Sequence, residues 1–107
     1  MKVNYSVSAR NDLRNIYEYI ALQLLVPDTA SALVEKIMAE IRTLESFPER
    51  NPLYRDEPWH SLGMRYMPVK NYIVFYTVIK ELDTVAITRI IYGGRDINKQ
   101  LSEDSGM

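Results

Sequence analysis

The residues able to do chemistry gather in the second half of the chain. Between positions 65 and 95 stand Arg65, Lys70, Lys80, Arg89 and Arg95 against only Glu81 and Asp83. Tyr66, Tyr72, Tyr76 and Tyr92 are interleaved with them. Cations set among aromatic rings are what a phosphate-rich ligand with stackable bases requires. A blander arrangement gives the same letters, with arginines keeping a hydrophobic sheet soluble and tyrosines filling strands. Arg89 is the informative member: strict alternation puts it on the same side as Val85, Ile87 and Ile91, where a cation must pair, snorkel or face a partner.

Other chemistries find few residues to use. His60 is the single histidine and there is no cysteine, which excludes thiolate catalysis, cysteine zinc sites and a multi-histidine metal centre. Glu35, Glu40 and Glu45 recur along a helix at steps of five, a solvated face rather than a catalytic pair. Gly93-Gly94 lacks the lysine and the helix pattern of a phosphate loop. No metal and no cofactor are therefore expected. The formal net charge of -1 gives no global attraction to nucleic acid, although a local patch survives inside a balanced total. No apolar run approaches the ~20 residues of a membrane helix and no signal peptide is visible. A cytoplasmic protein with no membrane partner is the expectation.

These side chains must be positioned by a sheet. Val69 to Ile79 is the densest run of β-branched and aromatic residues, and its faces Tyr72/Val74/Tyr76/Val78 and Ile73/Phe75/Thr77/Ile79 are both largely apolar. Such a strand belongs inside a sheet covered on both sides. Lys2 to Val7 alternates as a half-buried edge strand. Ser8 then caps a helix over Ala9 to Leu24, striped by Leu13, Ile16, Tyr17, Ile20 and Leu24. Asp28 caps a second helix, striped by Ala30, Leu33, Val34, Ile37, Ile41 and Leu44 and ending near Ser46. The short link makes an antiparallel hairpin.

Phe47 to Pro58 holds three of the five prolines and reads as a surface loop, with Trp59 and Leu62 anchoring its end. A short strand over Gly63 to Met67, stopped by Pro68, precedes the central strand. After a polar turn at Lys80 to Asp83, Thr84 to Tyr92 is a fourth strand. The order β-α-α-β-β-β is an α+β domain over residues 1–101: a helical hairpin on one face of a four-stranded, mainly antiparallel sheet. Residues 102–107 read as a frayed polar tail. The hairpin covers one face only, so the other is left to a short C-terminal turn or a partner chain.

Taken together, Tyr5-Ser6-Val7-Ser8-Ala9-Arg10-Asn11-Asp12-Leu13, Tyr17-Glu18-Tyr19-Ile20, Phe47-Pro48, Leu62-Gly63-Met64-Arg65, Val69 to Tyr76 and Ile90-Ile91-Tyr92-Gly93-Gly94-Arg95-Asp96 resemble the RelE/ParE superfamily of bacterial type II toxin-antitoxin toxins. The resemblance runs from Tyr5 to about Leu101 and implies a growth-inhibiting toxin neutralised by a cognate antitoxin, with which it forms a hetero-oligomer. It implies one of two targets. RelE-like members cut messenger RNA on the ribosome through scattered basic residues and a late tyrosine or histidine; ParE-like members inhibit DNA gyrase. Alignment at Tyr72 and Gly94-Arg95 matches the arginine after the last strand with Arg95. The strand lysine falls on Tyr66, the arginine after Tyr72 is Ile73, and the late tyrosine falls near Leu101. With an isoelectric point near 5.8, the chain looks ParE-like, a gyrase inhibitor rather than an enzyme. The alternatives are a ribosome-dependent endoribonuclease and a non-toxic binding module on the same fold. Arg95 and Arg65 are the catalytic candidates, and Lys70, Arg89, Tyr72 and Tyr92 the target-binding candidates.

Overall fold

A computed structural model describes residues 1–105. Four strands, β1 (Lys2–Tyr5), β2 (Arg65–Val69), β3 (Tyr72–Ile79) and β4 (Thr84–Tyr92), form one sheet in the order β1-β4-β3-β2. β2, β3 and β4 are an antiparallel meander, while β1 joins the edge parallel to β4. The helices are α1 (Val7–Glu18), α2 (Pro27–Arg42) and α3 (Ile97–Ser105), with a π-helical turn at Tyr19–Gln23 between the first two. The α+β hairpin-on-sheet architecture read from the sequence is the observed one, with a third helix added.

β3 lies inside the sheet, and its alternation sorts two cores. Tyr72, Val74, Tyr76 and Val78 pack with Ile16, Ile20, Ile37, Ile41, Val85 and Ile87 under the helical pair. Ile73 and Phe75 pack on the opposite face with Ile91, Trp59, Met64 and Leu101. That second face is closed by the proline-rich loop and by α3, both from this chain. Of the two covers expected there, a short C-terminal turn or a partner chain, the C-terminal one is observed, lengthened to a nine-residue helix that Ile97 and Leu101, one helical turn apart, seat on the sheet. The helix also runs through Ser102–Ser105, the start of the stretch read as a tail, and Gly106 and Met107 lie outside the described residues.

Several boundaries move for local reasons. Ser6, not Ser8, caps α1, its Oγ accepting from the Ala9 N–H at 2.9 Å. Pro27, at the first position of α2, needs no amide partner there, and Asp28 sits in the first turn instead of capping it. Pro68 does not stop β2, because at the outer edge of the sheet its missing N–H leaves the ladder to β3 intact. Lys70 and Asn71 form the hairpin turn rather than opening β3, with Lys70 at φ +55°. Of the two expected loop anchors, Trp59 is buried and Leu62 is exposed. Among the described residues no helix is long and apolar enough to cross a membrane.

Candidate functional site

β4 carries an extra residue at Thr88. Ile87 pairs with Tyr76 but Arg89 pairs with Phe75, so the strand gains one position over its partner. Thr88 stabilises the bulge itself: its hydroxyl donates to the Phe75 carbonyl at 3.0 Å, and its carbonyl accepts from Ser6 Oγ at 2.8 Å. The consequence is a change of face. Val85 and Ile87 point under the helical pair, whereas Arg89 and Ile91 share the face of Phe75. Arg89 is not on the side of Val85 and Ile87 that strict alternation assigns it.

β1 ends at Tyr5, so among the described residues the outer edge of β4 beyond Ile87 has no strand beside it. α1 takes its place, and Asp12 supplies the acceptor that a strand would have given. Its carboxylate accepts from the Ile90 N–H at 2.8 Å and from Arg89 Nε and Nη2 at 2.7 and 3.1 Å. Arg89 Nη1 donates to the Gln100 carbonyl of α3 at 3.0 Å. One ion pair, mostly buried, thus ties α1, β4 and α3 together.

Above this pair lies a groove of about 590 Å³, bordered by Asp12, Tyr19, Tyr72, Arg89, Tyr92 and Arg95. Tyr72 and Tyr92, opposite each other in the ladder, meet edge to face with ring centres 5.6 Å apart. Burial pushes the Tyr72 phenol above its ordinary value, the neighbouring Tyr92 adds to this, and the Arg95 charge opposes it. Lys70 borders a shallower depression of about 310 Å³ on the other flank of Tyr72 and Tyr92.

Four of the six candidates, Tyr72, Arg89, Tyr92 and Arg95, therefore share one groove, and Lys70 lies next to it. Arg65 does not. Its guanidinium donates to the Asn51 and Glu49 carbonyls at 2.7 and 3.3 Å and pairs with the Glu49 carboxylate, fastening the proline-rich loop. Lys80 pairs with the same carboxylate. Tyr76 is fully buried, its hydroxyl donating to the Pro48 carbonyl at 2.7 Å, and Tyr66 packs beside Tyr54 in the second core. His60 is spent in the loop, its Nδ1 2.9 Å from the Tyr54 carbonyl oxygen. Sequence reasoning missed Asp12 and Tyr19 as groove residues, since neither carries a signal without knowing which strand edge α1 follows. Among the described residues no set of three acidic or histidine side chains is gathered to hold a metal.

A family model described as the ParE toxin of the type II toxin-antitoxin system parDE matches residues 3–97. The chain belongs to the ParE toxin family. Solved structures share its fold. A chain of the chromosomal ParDE system of P. aeruginosa is 22% identical, with a TM-score of 0.68 over 86% of this chain and 95% of that one. The RelBE2 toxin-antitoxin complex of Mycobacterium tuberculosis gives 23% identity and a TM-score of 0.57, covering 85% and 95%. The isolated E. coli RelE toxin gives 14% identity and 0.62, covering 99% and 98%. No curated protein matches by sequence. The ParE-family chain is thus a toxin of a type II toxin-antitoxin module, on a fold shared with RelE.

Proposed function

We propose that this ParE-family toxin arrests growth by binding and inhibiting DNA gyrase, and that a cognate antitoxin neutralises it. The observation that carries the reading is the state of the cations in the groove. Arg89 is committed to Asp12 and to the Gln100 carbonyl, leaving Arg95 as the one groove cation without a side-chain partner among the described residues. Cleaving a phosphodiester through a 2'-hydroxyl calls for a base or acid that titrates near neutrality and for several donors on the developing charge. No histidine lines the groove, and burial moves Tyr72 away from neutrality. Recognition is left as the task these residues are equipped for.

The antitoxin has a different surface to cover. Leu22, Leu24, Leu25 and Val26 stand exposed around the link between the helices, and large apolar side chains left to water in one short stretch of chain are what a protein partner covers. The test uses purified toxin in two assays, gyrase supercoiling and cleavage of ribosome-bound message. Blocked supercoiling with intact message is expected. Codon-specific cuts with supercoiling unaffected would overturn the reading in favour of an endoribonuclease, and silence in both would favour a non-toxic binding module.

A further inference from the structure

We propose that the groove between α1, β4 and α3 is a receptor for a peptide segment of the target protein, one large apolar or aromatic side chain next to one carboxylate. This rests on the gyrase reading above and names what the toxin grips. The floor of the groove is electrically closed, because Asp12 and Arg89 neutralise each other there. Among the described residues that line it, the one charge not matched by an opposite one is Arg95 at the rim. A single-stranded nucleic acid brings a phosphate with every nucleotide and needs a track of cations. One cation beside three phenol rings instead complements one carboxylate beside one bulky side chain. The volume, about 590 Å³, lies within the ordinary range for sites that enclose a small ligand.

The aromatic wall is prearranged. A Cβ on Gly94 would stand 2.5 Å from Cε2 of the Tyr92 ring, so the glycine leaves the space in which that ring lies against Tyr72. Tyr19 arrives from the other side at the start of the π-helical turn, and π turns are frequent where a helix has been adjusted for a site. Tyr19 and Tyr92 remain about half exposed, at 52% and 46%, with ring surface left to cover. The target is favoured over the antitoxin because the groove mixes charge, hydroxyls and apolar surface, as transient interfaces do. The patch at Leu22 to Val26 has the more uniformly apolar character of a lasting interface.

The experiment titrates the full-length toxin with the capped dipeptide acetyl-Phe-Asp-amide, following backbone amide resonances. Its controls are acetyl-Phe-Asn-amide and hexauridylate. Shifts confined to Tyr19, Tyr72, Tyr92, Arg95 and their neighbours are expected, with roughly tenfold weaker binding for the Asn peptide and for Arg95→Gln. Gly94→Ala, which displaces the Tyr92 ring without removing any contact group, should weaken the Asp and Asn peptides by the same factor. In the supercoiling assay Arg95→Gln and Gly94→Ala should each raise the inhibitory concentration at least tenfold, while both still bind antitoxin and Lys36→Gln, on the wet face of α2, changes nothing. Scattered shifts, equal binding of the two peptides, or tighter occupation by hexauridylate would overturn the proposal. So would variants that lose antitoxin but keep inhibition. If wild-type toxin fails to block supercoiling while the peptide still maps to the groove, the gyrase reading fails and the receptor stands.

Discussion

At the scale of single residues, the Asp12–Arg89 pair decides most about the groove and is also the most exposed to mutation. Both side chains are largely removed from water, and each would be left charged and unmatched if the other were cut back. Asp12→Ala also strands the Ile90 N–H at the open edge of β4. The expected loss is about 3 kcal/mol, read from the shift of the urea midpoint. Adding Arg89→Met should recover part of it by removing the unpaired cation; the Ile90 amide would still lack its acceptor. A single Asp12 variant within experimental error of wild type would mean that the pair does not join the three elements. Arg89 could be singled out from the sequence, since a cation amid β-branched residues must have an answer, but the answer could not. Asp12 is 77 residues away, and nothing in the pattern of α1 marks it.

Elements were most legible where they satisfy their own groups locally, and least where a distant contact breaks a tie. Val69 to Ile79 announces a buried strand because both faces are apolar, and β3 has the two cores this demands. The start of α1 offers two serines, Ser6 and Ser8, that are equally good caps by type. Ser6 wins because its hydroxyl also donates to the carbonyl of Thr88, 82 residues on, at the bulge in β4. The same bulge turns Arg89 to the other face, a flip that no alternation rule contains. Ser6→Ala should therefore destabilise by about 1–2 kcal/mol, measured as a lowered melting temperature. Ser6→Asp separates the two bonds, since a carboxylate still caps the helix but cannot donate to Thr88. It should restore only part of the stability, and full restoration would show that the bond to the bulge contributes nothing.

For the whole molecule, the question is what closes the second face of the sheet. The sequence leaves this to a short C-terminal turn or a partner chain without choosing between them, because α3 carries only Ile97 and Leu101 as large apolar residues in a polar sequence. Its stability comes from tertiary contact rather than from helix propensity, which for nine residues alone is too weak. The proline-rich loop makes that contact worthwhile: Tyr54 stands edge-on to Trp59, Tyr66 and Phe75, and Leu101 packs into the same cluster, 3% exposed. Removing its side chain should leave a void beneath the helix. Leu101→Ala is expected to cost about 3 kcal/mol, and because α3 also holds Arg89 through the Gln100 carbonyl, the damage should reach the groove. Hydrogen exchange should then show faster exchange at the amides of α3 and at Ile90, with the β1–α1 junction unchanged. Uniform acceleration across the chain would mean instead that α3 and the groove are not a separable unit but unfold with everything else.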